Sequence, residues 1–177
     1  MKRGRFDRSA ILAARAERDR FLVEHYASPI PEEHRAGFAG AAYYEPDERF
    51  VFVGSLLDGP TKVAVPSSAG TVRNYQSIGI ARITVEGQSY DLTVLDDGDG
   101  GAFLAFGDAT NGRTTYSGGR YVGVELDARG DAIVDFNRAA NPYCVYDEEY
   151  SCPLPPPGNI IAAPIEAGER MYPTTAA

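Results

Sequence analysis

From Phe38 to Asn137 the chain is a succession of short apolar or alternating runs, each closed by Gly or Asp, with no helix-length segment between them. That punctuation constrains the fold more than any other feature. A strand needs only a few residues with a period of two, and a tight turn back needs a residue that tolerates positive φ. Arg49–Leu56 ends at Asp58-Gly59-Pro60, and Thr61–Val65 follows. Thr71–Tyr75 and Gly79–Val85 come next, then Glu86-Gly87 turns the chain into Gln88–Leu95. The tract Asp96–Gly101 precedes Ala102–Phe106, a loop spans Asp108–Thr114, and Tyr116–Leu126 turns at Asp127–Gly130 into Ala132–Asn137. Roughly eight or nine strands at near-regular spacing predict an antiparallel meander closing as a barrel-like or sandwich domain.

Facing follows from the same period. Tyr90, Leu92 and Val94 share one face, as do Val122, Val124 and Leu126. In the last strand Val134 and Phe136 point inward, which sets Asp135 and Asn137 together on the other face. Before this region Asp7–Ala27 is the one strong helix, capped by Asp7 or Ser9 and stopped by Ser28-Pro29-Ile30-Pro31. Its apolar face is thin: Ile11, Ala14, Phe21, Leu22 and Tyr26, with Arg18 interrupting the stripe. It is expected to pack one side onto a larger body. The predicted organisation is an N-terminal helix and linker over residues 1–31, then a single β-rich domain over 32–177. From about Arg138 periodicity ends, and Pro153–Pro157 predicts an extended polyproline arm. Tyrosines before it and isoleucines after it predict that the arm docks.

Charge and composition narrow the chemistry. Seventeen Lys and Arg against 25 Asp and Glu give a net charge of −8. That balance argues against a broad nucleic-acid surface or a polybasic membrane anchor. The basic start of the chain is followed by no apolar run of signal-peptide type, and no stretch reaches membrane-span length, so the expected location is cytoplasmic. With only His25 and His34 a three-histidine metal site is impossible, and no metal site is expected. Cys144 and Cys152, close in sequence, are expected as thiols in a reducing compartment. Asp97-Gly98-Asp99-Gly100 lacks the spacing of a calcium loop and reads as a hairpin turn.

The tail carries a resemblance. Asp135-Phe136-Asn137-Arg138-Ala139-Ala140-Asn141-Pro142-Tyr143-Cys144-Val145-Tyr146 is similar to the hallmark of domain-of-unknown-function family 1684. So are Tyr150–Pro156 with Asn159, the closing Ile165–Glu169, and upstream Asp108–Gly112, Tyr116 and Gly118–Tyr121. Arg73-Asn74-Tyr75 matches more loosely. The resemblance runs from about Phe38 and is most specific from Asp108 to Glu169. Ala140 stands where the family often has Tyr. The resemblance implies a bacterial or archaeal domain with no established activity, and it names no cofactor.

Two readings of the polar residues stand side by side. In one, Arg120 and Arg73 grip a small polar or anionic metabolite in a concave site at one end of the barrel or sandwich. Tyr116, Asp135, Asn137, Asn141, Cys144 and Tyr146 complete that site. Any acid–base work would then fall to Asp135, a tyrosine or Cys144. In the other, the cluster is a structural or protein-interaction device: Arg120 pairs with Asp135 and the asparagines satisfy arm backbone. An Arg120 consumed by internal partners, with no cavity beside it, would sink the first reading. Glu166 and Glu169 are expected to be solvated, as carboxylates near a C-terminus usually are.

Overall fold

The computed structural model describes residues 6–172; the basic start and the last residues of the arm lie outside them. One main helix, α1 (Arg8–Glu24), precedes a short turn of helix, α2 (Glu32–Arg35), and a mainly β body. The strands are β1 (Val51–Leu57), β2 (Lys62–Pro66), β3 (Val72–Val85), β4 (Gln88–Asp96), β5 (Ala102–Asp108), β6 (Arg120–Leu126), β7 (Ala132–Asp135) and β8 (Ile160–Ile161). Six of them form a closed antiparallel barrel in the order β1-β7-β6-β5-β4-β3, with β3 returning to β1. The other two are extensions: β2 is a hairpin partner of the first half of β3, and β8 lies parallel to β5.

Closure depends on β1 serving two neighbours. Val51–Gly54 pairs with β7, whereas Ser55–Leu57 pairs with β3. The seam between the two pairings falls at Gly54, where an added Cβ would lie 1.9 Å from the Arg82 carbonyl oxygen. Only glycine lets the strands approach so closely there. The expected strands Thr71–Tyr75 and Gly79–Val85 are a single strand, β3, because a bulge between Ser77 and Gly79 shifts register without breaking it.

Inward residues follow the alternation. Leu92, Val94, Val122, Val124, Val134 and Phe136 are buried in one cluster with Phe106, Leu104 and Ile83. Leu126, expected on that face, is half-exposed at the strand end. In α1, Asp7 caps the helix through Ala10 N–H, and Ile11 and Leu22 are buried. The helix stops three residues earlier than expected, so Tyr26 lies off its packed face and is exposed. No helix among the described residues is long and apolar enough to cross a membrane.

The arm is built into the barrel wall. Strands β4 and β5 pair only at Leu95–Phe103 and Asp96–Ala102. Continuing that register would oppose Thr93 to Ala105, but the side-chain amide of Asn159 lies between them. Its Oδ1 accepts from Thr93 N–H at 2.8 Å, and its Nδ2 donates to the carbonyls of Thr93 and Ala105 at 2.9 and 3.0 Å. A primary amide carries the donor and acceptor of a peptide, so it substitutes for a missing ladder rung. Beyond it β8 takes up pairing with β5, and Ile161, Ala163, Ile165 and Ala167 enter the core.

Candidate functional site

Arg120 opens β6 immediately after Gly119, whose φ is +85° and whose added Cβ would lie 2.5 Å from the Phe106 carbonyl oxygen. That conformation favours glycine and brings Arg120 hard against the barrel interior. The side chain is fully buried. One terminal nitrogen reaches Asp108 Oδ2 and the Ile165 carbonyl, each at 2.9 Å. The other donates to the carbonyls of Ala167 and of Glu169, the latter at 3.0 Å. The planar fork thus holds alternate arm residues, and its guanidinium carbon lies 5.3 Å over the Phe106 ring. Burial lowers the Arg120 pKa, and Asp108 opposes that effect. Asp108, not Asp135, is its ionic partner. Asp108 Oδ1 also accepts from Thr110 and Ile165 N–H, so both sides of the pair serve the arm and its approach.

Asp135 and Asn137 do not share a strand face. Strand β7 ends at Asp135, and Phe136–Arg138 is one turn of 3-10 helix capped by the Asp135 side chain. Asn137 is buried and binds the Asp47 backbone both ways, at 2.8 and 2.9 Å. Asp135 faces Arg138 Nε at 3.4 Å.

The second buried ionic site centres on Glu169, which is fully buried rather than solvated. Its carboxylate pairs with Arg18 of α1, accepts from Asn141 N–H at 2.6 Å, and receives the Tyr146 hydroxyl at 3.5 Å. The interruption in the helix's apolar stripe is therefore a docking point. Burial would lower the Arg18 pKa, but the charge and hydrogen bond of Glu169 outweigh it and hold it above the ordinary arginine value. Burial and the same carboxylate push the Tyr146 hydroxyl up. Asn141 donates to the Arg170 carbonyl at 2.9 Å, while its buried Oδ1 has no hydrogen-bond partner.

The remaining candidates lie elsewhere. Tyr116 OH is 3.8 Å from Cys144 Sγ, and Cys152 Sγ accepts from Cys144 N–H at 3.3 Å. Arg73 is exposed on the β2–β3 hairpin opposite Val65, with no bond or ion pair to the other candidates. The expected single constellation is thus several separate groups: Arg120 with Asp108, Asn141 and Tyr146 around Glu169, Asp135 with Asn137, Tyr116 with the cysteines, and Arg73 apart.

Two adjoining hollows, of about 260 and 430 Å³, share Arg18, Arg138 and Ala140 in their walls. The smaller is roofed by α1 through Arg15; the larger is walled by Phe103, Tyr121, Asn141, Tyr143 and Cys152. Arg138 is 41% exposed, and only its Nε faces Asp135. A larger hollow of about 610 Å³ lies beside β1 and the end of β3, but none of the predicted site residues lines it. Its arginines, Arg49 and Arg82, are paired with Asp47 and Asp91. Among the described residues no three His, Cys, Asp or Glu side chains group as a metal site requires.

Sequence reasoning did not single out Arg18, Arg138, Asp108 or Glu169 as site residues. A signal existed for Glu169: it continues the alternation Ile165, Ala167, whose members are buried.

These features define a class: a closed six-stranded antiparallel barrel whose C-terminal arm is held by two buried arginine–carboxylate centres, with a cleft where helix and arm meet. The profile of the family described as "Protein of unknown function (DUF1684)" matches residues 36–170, and the chain belongs to that family. It is also similar to the uncharacterized protein from gene locus rrnAC0354 of Haloarcula marismortui, known from a solution NMR structure. The two are 32% identical, with 92% of each chain covered and a TM-score of 0.71. No curated protein matches the chain.

Proposed function

We propose that this barrel binds a small polar, anionic metabolite in the cleft between α1 and the arm, beside Arg18, Arg138 and Asn141. The observation that carries the reading is Asn141 Oδ1, a buried acceptor left without a partner in a residue lining the 430 Å³ hollow. Leaving such an atom unsatisfied costs about 1–3 kcal/mol, and a bound donor would recover it. Arg138, held to Asp135 only through Nε, offers positive charge at the mouth, while the charge of Arg18 deeper in is met by Glu169. A carboxylate or phosphate ester carrying a hydroxyl or amino group matches that combination. The site is displaced from the one expected around Arg120, whose four bonded acceptors all belong to the protein.

The reading is of binding and assigns no reaction. No histidine lines the hollow, and Cys152, the nucleophilic side chain on its wall, is pushed up to about 11 by burial. The net charge of −8 supports small-molecule partners over nucleic acid or membrane surfaces.

A second reading has its own observation. Both terminal nitrogens of Arg120 are spent within the fold and only its buried Nε has no hydrogen-bond partner, which supports a structural role in which the cluster anchors the arm. In that reading the cleft is only where arm and helix meet. Thermal shift against a panel of hydroxy-acids, amino acids and phosphate esters separates the two. Binding predicts a Tm rise with concentration, on the order of 5 °C or more at 100 times Kd. It also predicts loss of that rise in Arg138→Gln, a surface change that leaves the fold intact. A panel without effect, or shifts unchanged in Arg138→Gln, refutes the binding reading.

A further inference from the structure

We propose that Cys144 and Cys152 form a thiol-modification site: a pair that closes reversibly to a disulfide, with Cys144 as the entry thiol and Cys152 as the resolving one. The residues are eight positions apart, and Cys152 Sγ lies 3.3 Å from the backbone nitrogen of Cys144. The second sulfur is thus already seated against the residue it would bond. A disulfide requires the two sulfurs at about 2.05 Å with closely spaced Cβ atoms, so only neighbours seated in this way can bridge without moving backbone.

Accessibility divides the roles. Cys144 is half-buried, whereas Cys152 is 7% exposed. Cys144 is the more exposed of the two, so a small disulfide in solution meets it first. Cys152 is also fixed in place: its N–H donates to Ser68 Oγ at 3.0 Å, and its carbonyl accepts from Ser68 N–H at 2.8 Å. Between the cysteines the chain runs through one 3-10 turn and an irregular loop, so little regular structure resists the movement of Cys144. The Tyr116 hydroxyl, 3.8 Å from Cys144 Sγ, is the polar neighbour of the entry sulfur.

The co-reactant is a low-molecular-weight disulfide, RSSR. The Cys144 thiolate attacks one sulfur of RSSR, forming the mixed disulfide and releasing RS⁻. The Cys152 thiolate then attacks the Cys144 sulfur, forming the protein disulfide and releasing the second RS⁻. The two protons lost by the thiols are taken up by the two RS⁻, so the dithiol is oxidised by two electrons and RSSR is reduced to two RSH. Burial pushes the Cys152 thiol up to about 11, so the resolving step should run faster in alkali. The bridge would close the loop from Cys144 to Cys152, whose last residue lines the cleft next to Tyr143, and would stiffen that wall.

The test is intact-mass analysis and thiol titration of the native protein treated with glutathione disulfide. The expected wild-type product has lost two hydrogens and has no titratable thiol, is restored by dithiothreitol, and melts higher by an amount on the order of 5 °C. Cys152→Ala should stop at the glutathione adduct on Cys144, and Cys144→Ala should acquire no adduct. A wild-type protein that keeps two free thiols, or halts as a stable adduct with Cys152 free, overturns the proposal. That wild-type measurement decides the matter even if a variant fails to fold.

Discussion

Replacing Arg120 by Ala tests the central structural claim, because its consequences are set by named partners. The substitution leaves Asp108 buried beside an empty space and strips the carbonyls of Ala167 and Glu169 of their donor, while the Ile165 carbonyl keeps its bond from Ala167 N–H at 2.9 Å. Breaking a buried ion pair from one side costs about 3–5 kcal/mol. Asp108 Oδ1 keeps its bonds from Thr110 and Ile165 N–H, which places that contribution near the lower limit. Orphaned carbonyls add roughly 1 kcal/mol each when water cannot reach them, and water entering the vacated volume offsets part of that. The expected loss is about 4–5 kcal/mol, a large share of a stability of about 5–15 kcal/mol. Urea unfolding should show the midpoint falling at nearly constant slope, and Tm should drop by roughly 10–20 °C. Asp108→Asn with Arg120→Ala should cost less than the sum of the two single changes, because the double variant buries no unpaired charge. A loss below about 1 kcal/mol for Arg120→Ala would refute the staple and return Arg120 to the list of ligand-binding residues.

Other outcomes follow from the same geometry. Arg18→Met leaves Glu169 buried without its cation and should cost about 3 kcal/mol, with hydrogen exchange rising first in α1. Asn159→Leu keeps side-chain bulk but removes the amide bridging Thr93 and Ala105; chemical denaturation should show a loss of about 2–4 kcal/mol. Gly54→Ala forces a methyl against the Arg82 carbonyl at the barrel seam, so the soluble yield and Tm of that variant should both fall. Stability should also decline in alkali. Burial raises Cys152 from 9.0 to about 11 and Tyr116 from 10.0 to about 12, and it raises Tyr121 as well. The folded state therefore holds these protons longer than the unfolded chain. The contribution is complete below about pH 9 and is lost as pH climbs through the folded values. A urea midpoint that stays flat from about pH 8 to pH 11 would contradict this, and Tyr121→Phe should flatten the slope.

The architecture was legible in the sequence because its determinants are local. Alternation along Tyr90–Val94 and Val122–Val124 fixes which side chains are inside, and Gly-Asp turns fix where the chain reverses. Errors fell where a local signal has two meanings. Gly79 reads as a strand start, yet it sits at a bulge within β3. Asp135 and Asn137 satisfy an alternation that a 3-10 turn interrupts after one residue.

Ion pairing was not legible, since charge carries no address along the chain. Arg120 meets Asp108 because β5 and β6 pair with Phe106 opposite Arg120, which leaves Asp108 two residues beyond the rung. Glu169 becomes a buried carboxylate only when the arm returns past Ala139 and α1 brings Arg18 across to it. By itself, then, the sequence determined the strands, their inward faces and the family, through spacings of a few residues. Tertiary structure alone decided which polar groups lose their water and to whom they bind. Desolvation depends on everything that packs around a group, and those neighbours come from far along the chain.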